Sequence, residues 1–241
     1  MKKLLLITLL FIVSTVASGQ SRTLTEAEFF EIRAKSCEKT KAVAHIQTET
    51  IEKFEMESKS PYYVYVSIRR YLPTDRVWTT ASAQKGGSKT AEPFEEIRIG
   101  NTSYTRKGTA AWKVQELGFS GLYLCSLPKS RDIGQGSGIG SGNSGGNRSR
   151  TTIENQYMFV GQEKIGAKTA NLYVRVEKST VTDPDFPSVT TKVAQYWIST
   201  DGFLLETTST TRYSNARHVE REVREYDYDQ KDLKIEAPAI K

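Results

Sequence analysis

The sequence predicts an α+β protein that is mostly β, with one helix near the start lying on a long antiparallel sheet. Three observations carry this reading. A capped helical pattern occurs once, over about Thr25 to Ala44. Short alternating runs rich in Val, Ile, Thr and Tyr follow it. Turn signals then recur every ten residues or so, too closely for the crossover helices of a parallel sheet.

The chain opens with Met1-Lys2-Lys3, an apolar run from Leu4 to Val16, and the small residues Ala17-Ser18-Gly19. A basic head, a short apolar stretch and small residues at cleavage spacing read as a secretory signal peptide over residues 1–19. The run falls short of the ~20 apolar residues that a membrane span needs. The expected mature chain starts at Gln20, as one domain over residues 20–241. No cysteine follows the apolar run, so a periplasmic or secreted protein without a lipid anchor is expected.

In the helix, Thr25 and Glu28 form a capping box, and Leu24 with Phe29 fits a hydrophobic staple. Phe30, Ala34, Cys37 and Ala44 recur near helical spacing, giving a stripe that needs a sheet beneath it. Strands are expected at His45–Phe54, Tyr62–Tyr71 and Val77–Ala83. Ile97–Ile99 turns through Gly100-Asn101 into Thr102–Arg106, and Ala111–Val114 pairs back. Later strands are Ile153–Val160, Ala170–Ser179, Thr190–Ser199, Phe203–Tyr213 and Glu220–Tyr228, with a last one at Leu233–Ile235. Gly134–Asn147 is dominated by Gly and Ser and reads as a flexible loop without core anchors. Residues 182–187 form a shorter loop.

Charge and chemistry narrow the function. Two of the 34 basic residues lie in the leader, which leaves 32 against 28 acidic ones, an excess of four. No basic run points to nucleic acid, and at most peripheral membrane contact is expected. Cys37 and Cys125 either bond or stay as two buried thiols. A bond would close a loop of roughly 88 residues and stabilise by ~4 kcal/mol through loop-closure entropy. His45 sits at the helix–strand junction and His218 among charged residues; neither has metal-ligand spacing. Glu95 and Glu96 alternate across a strand and point to opposite faces. The Gly136–Gly140 and Gly140–Gly145 runs lack the strand and helix that would make them a nucleophile elbow or a dinucleotide loop. No catalytic residue, metal site or cofactor is expected, and the protein is read as no enzyme.

The order of parts carries a resemblance. After the helix come Ile97-Arg98-Ile99-Gly100-Asn101-Thr102-Ser103-Tyr104-Thr105-Arg106 and Trp112. Then come Tyr157–Glu163, Ala170-Asn171-Leu172-Tyr173-Val174, Tyr196-Trp197-Ile198-Ser199 before Asp201–Glu206, and Tyr226–Asp229 before Ile235–Pro238. From about Thr25 to Pro238 the chain resembles the LolA/LolB/LppX superfamily of periplasmic lipoprotein carriers and lipid-binding proteins. The resemblance implies a strongly curved sheet, a half-open β-barrel covered by helix, whose inner face holds acyl chains. The expected ligand is a lipid or the acyl chain of a lipoprotein, with an envelope protein as a second possible partner.

Alternation names the candidate lining. Val64, Val66 and Ile68 share one face of their strand, against Tyr63, Tyr65, Arg69 and Tyr71 on the other. Leu172 and Val174 share a face against Tyr173 and Arg175. With Tyr196 and Ile198 these make seven candidates for an acyl cavity. Alternation marks a buried face and does not separate an open cavity from a filled core, so a solid interaction module is the competing expectation.

Overall fold

The computed structural model describes residues 21–56, 58–86, 88–89, 92–117, 150–183, 187–214 and 218–240. The expected leader, the 134–147 segment and Cys125 lie outside them. The described elements are β1 (Arg22–Leu24), α1 (Glu26–Lys41), β2 (His45–Glu55), β3 (Tyr63–Leu72), β4 (Arg76–Lys85), β5 (Ser88–Lys89) and β6 (Phe94–Ile99). They continue with β7 (Thr102–Lys107), β8 (Lys113–Glu116), β9 (Arg150–Ile165), β10 (Lys168–Thr182), β11 (Ser188–Ser199), β12 (Leu204–Tyr213) and β13 (His218–Asp227).

The described strands form one antiparallel sheet in the order β1-β9-β10-β11-β12-β13-β2-β3-β4-β6-β7-β8, with β5 added to β4. The sheet is strongly curved. Its edge strands, β1 and β8, do not pair with each other, so it stays open rather than closing into a barrel. Most neighbours are joined by short connections, which suits antiparallel pairing. The long-range pairs are β1 beside β9 and β13 beside β2, the second joining the two halves of the sheet with Arg224 opposite Glu49.

The helix start follows the sequence signal. Thr25 Oγ1 accepts from Glu28 N at 3.2 Å, and the Glu28 carboxylate accepts from Thr25 N at 2.8 Å. That backbone bond, with Arg22 beside it, holds the Glu28 carboxyl down at about 2. Leu24 and Phe29 close the staple inside one buried cluster. Phe29 is fully buried against Tyr157 and Tyr196, at ring distances of 4.9 and 5.6 Å.

The second half of α1 departs from the expected apolar stripe. Its buried residues are Ser36, Cys37 and Thr40. Thr40 Oγ1 accepts from Leu204 N at 3.4 Å and meets the Tyr228 hydroxyl at 3.0 Å, while that hydroxyl donates to Leu204 O. Polar contacts therefore hold this end on the sheet. The helix stops at Lys41, short of Ala44, because His45 already pairs with Tyr71 in the sheet.

Two hairpins meet their turn signals. Gly100 and Gly202 take φ of +56° and +89°, where a side chain would be strained. Two short strands were not expected: β1, which borders β9, and β5. Leu233–Ile235 is no strand. It lies in an irregular tail, where Ile235 is buried and its carbonyl accepts from Arg76 Nη1 at 2.8 Å. One buried side chain and one side-chain donor anchor it instead of a strand ladder.

Candidate functional site

Residues directly opposite in an antiparallel ladder share a face, so the register sorts the whole sheet. One row runs Ser67, Glu49, Arg224, Thr207, Tyr196, Tyr173 and Phe159. The helix packs on this face, through Phe29 against Tyr157 and Tyr196. The next row on the other face runs Val66, Thr50, Val223, Thr208, Gln195 and Val174.

The seven candidate residues therefore do not share one face. Val64, Val66, Ile68, Leu172 and Val174 lie on the face opposite α1, whereas Tyr196 and Ile198 lie on the helix face. The reason is local. Leu172 stands opposite Trp197, and Tyr196 opposite Tyr173, so the pleat sends 172 and 196 to different sides. Period-2 reading divides a strand correctly but does not say which half of one strand joins which half of the next.

On the helix face, aromatic packing gives way to closed ion pairs. Glu49, 4% exposed, accepts from Arg69 Nη2 at 2.9 Å and from Arg224 Nε at 2.8 Å. Arg224 also pairs with Glu222. Beside them, the fully buried His45 stacks on Tyr71 at 4.7 Å and approaches Tyr228 at 5.5 Å. Its Nδ1 lies 3.0 Å from Val43 O. Burial lowers its pKa, outweighing that bond, so the ring is neutral and Nδ1 is the donor. Burial also pushes the Tyr226 hydroxyl up to about 12. Farther along this face a pocket of about 610 Å³ is lined by Ile51, Lys53, Tyr62, Tyr63, Tyr65, Lys85 and Glu220. There Glu220 already pairs with Lys53 at 3.4 Å.

The opposite face carries two apolar areas, with a mixed stretch of β12, β13 and β2 between them in which Val219, Val223 and Phe54 alternate with threonines and charged residues. On β9–β12, Leu172 and Val174 pack with Trp197, Ala170 and Leu205 into a filled cluster. On β3, Val64, Val66 and Ile68 are half-buried and belong to neither packed cluster. The same line of β3 ends at Arg70, which stands opposite Trp78 on β4. The guanidinium lies 4.5 Å over the indole ring. Arg70 Nη1 and Trp78 Nε1 are both buried without a hydrogen-bond partner among the described residues. Composition could not single out this pair; only the register brings it together.

Glu95 and Glu96 do face apart: Glu95 binds Arg106 at 2.8 Å and Glu96 accepts from Ser103 at 2.8 Å. His218 is half-buried, with its ring 5.4 Å from that of Tyr213. Cys37 is buried, and no free cysteine occurs among the described residues. Among those residues no group of His, Cys, Asp or Glu is arranged to hold a metal ion, and no helix is long and apolar enough to cross a membrane.

No family model matches the chain, and no curated protein matches it. Solved structures do. The chain is similar to LprF from Mycobacterium bovis, with 12% identity, a TM-score of 0.41, and coverage of 88% of this chain and 98% of that one. A LolA superfamily protein from Nitrosomonas europaea aligns at 11% identity and a TM-score of 0.29, over 87% of this chain and 94% of its own. A putative outer membrane lipoprotein-sorting protein domain from Vibrio parahaemolyticus aligns at 11% identity and 0.28, over 85% and 93% of the two chains.

Proposed function

We propose that this chain is a non-enzymatic extracytoplasmic binding protein for an acyl chain, taken up on the face opposite α1. The observation that carries the reading is the β3 line of Val64, Val66 and Ile68. These three aliphatic residues are half-buried, yet they pack into neither cluster. The part of their apolar surface still exposed is stabilised when a ligand covers it, by about 25 cal/mol per Å². On the helix face the aromatic residues are packed around Phe29 and Glu49 is held by Arg69 and Arg224, and the polar atoms left over among the described residues, on His45, Ser67 and Tyr157, are neutral and scattered.

The proposal includes export by cleavage near Gln20 without an added lipid, and a bond between Cys37 and Cys125 in the oxidising compartment. The competing reading is an interaction module that pairs with a protein through the edge strand β8, whose four residues are all exposed. Native mass spectrometry of the exported protein, before and after delipidation, separates the two. Extra mass that delipidation removes, and that falls in the acyl-lipid range, supports the carrier. Protein that never carries lipid, and takes none up when mixed with it, contradicts the carrier.

A further inference from the structure

We infer that Arg70 and Trp78 form a carboxylate site at the end of the β3 apolar line, and that the ligand is a free long-chain fatty acid. The inference rests on the acyl-binding reading and names the head group that reading leaves open.

A buried donor without an acceptor costs about 1–3 kcal/mol, and more when it is charged. Six buried side-chain polar atoms among the described residues lack a partner. Four stand on residues not in register with one another: Ser36, His45, Ser67 and Tyr157. The other two, Arg70 Nη1 and Trp78 Nε1, belong to a registered pair held at cation–π distance. Both are donors, and neither can satisfy the other. Two neighbouring donors, one of them cationic, call for an anionic acceptor with more than one lone pair, which is what a carboxylate offers.

Position supplies the rest. Val64, Val66, Ile68 and Arg70 alternate along one side of β3. Six residues of strand span ~20 Å, close to the length of a long extended acyl chain. The line thus runs from apolar to cationic with one change of character, matching an unbranched amphiphile with a single anionic end. Both Arg70 and Trp78 are half-buried as whole residues, so a head group can reach them with small side-chain movement. Arg70 makes no ion pair, so its charge is uncompensated within the described residues.

The test compares cis-parinaric acid with its methyl ester at pH 8, using fluorescence titration of the full-length mature protein. The ester keeps the chain and removes the charge. The wild type is expected to bind the acid at least about tenfold more tightly than the ester. Arg70→Gln should bring the acid down to the ester's affinity and leave the ester unchanged. Trp78→Phe keeps an aromatic ring beside the guanidinium but removes the pyrrole half of the indole with its N–H, and should weaken the acid relative to the ester by about threefold to tenfold. Circular dichroism melts of both variants check the fold; if Arg70→Gln does not fold, Trp78→Phe decides. Equal binding of acid and ester by the wild type overturns the carboxylate site while leaving acyl binding standing. An acid preference that survives Trp78→Phe and Arg70→Gln also overturns it. Binding of neither probe overturns this inference and the acyl-binding reading together.

Discussion

Arg69 and Arg70 are neighbours on β3, and they meet opposite fates. Arg69 faces the helix side and donates to Glu49, which Arg224 also binds. Arg70 faces the other side, lies over Trp78, and leaves a buried donor unpaired. The same contrast runs through the apolar residues. Phe29, Tyr157 and Tyr196 complete a packed cluster on the helix face, while Val64, Val66 and Ile68 remain outside any cluster on the other. The helix face is filled by its own side chains from Phe29 to Glu49 and opens at the Tyr63 pocket. The other face has a strip whose apolar and cationic groups have no counterpart among the described residues. A fold held together by the first can present the second for binding.

The contrast can be broken at several points. The largest effect is expected at the helix. Phe29→Ala empties a fully buried aromatic site, with an expected loss of ~3–5 kcal/mol in chemical denaturation. A loss under about 1 kcal/mol would mean that α1 is not what closes this face. Next is Glu49→Gln, which leaves Arg69 and Arg224 close together without their shared carboxylate. Breaking a buried pair costs ~3–5 kcal/mol, but both arginines are partly in water, so about 2–3 kcal/mol is expected. An unchanged denaturation midpoint would contradict the closed-network account.

Val174→Phe sharpens the comparison within the face opposite α1. Val174 sits in the filled β9–β12 cluster, so the larger ring should overpack it and cost ~1–3 kcal/mol. Neutral stability there would show a void where the structure has a core. The smallest effect is a pH dependence. An unfolded histidine takes its proton near pH 6.5, and folded His45 does so lower because burial disfavours its charge. The unfolded state therefore binds more protons as pH falls below about 6.5, and stability drops through that window by at most ~1.4 kcal/mol per pH unit. Above about 7 the contribution is fully present. His45→Phe should flatten this part of the profile relative to the wild type; an identical slope in both proteins would place the titration elsewhere.

Much of the fold was legible in local sequence. Thr25, Glu28, Leu24 and Phe29 announced the helix start because capping and staple contacts span only a few residues. Gly100 and Gly202 marked hairpins because their backbone angles suit glycine. Strand faces were also legible, as Val64 against Tyr65 and Glu95 against Glu96 show. What could not be read was the joining of faces across strands. Leu172 and Tyr196 each sat on a correctly divided strand, yet assigning both to one cavity failed, since register is set by long-range pairing. The Arg70–Trp78 pair was hidden for the same reason: the residues are eight positions apart around a turn, and only the ladder places them opposite. The Leu233–Ile235 tail looked like a strand by its alternation, but a single buried Ile235 and a bond from Arg76 hold it without any ladder.

The central claim is that the face opposite α1, along β3, takes the acyl chain. The most direct measurement is cis-parinaric acid titration of the wild type, Val66→Phe and Tyr63→Ala, each with a thermal melt. Val66→Phe fills the proposed strip, and Tyr63→Ala opens the pocket on the helix face. The account predicts that the wild type binds and that Val66→Phe binds at least about tenfold more weakly while its stability stays within about 0.5 kcal/mol. Tyr63→Ala should bind as the wild type does. Unchanged binding by Val66→Phe, with loss of binding in Tyr63→Ala, would move the site to the helix face and contradict the account.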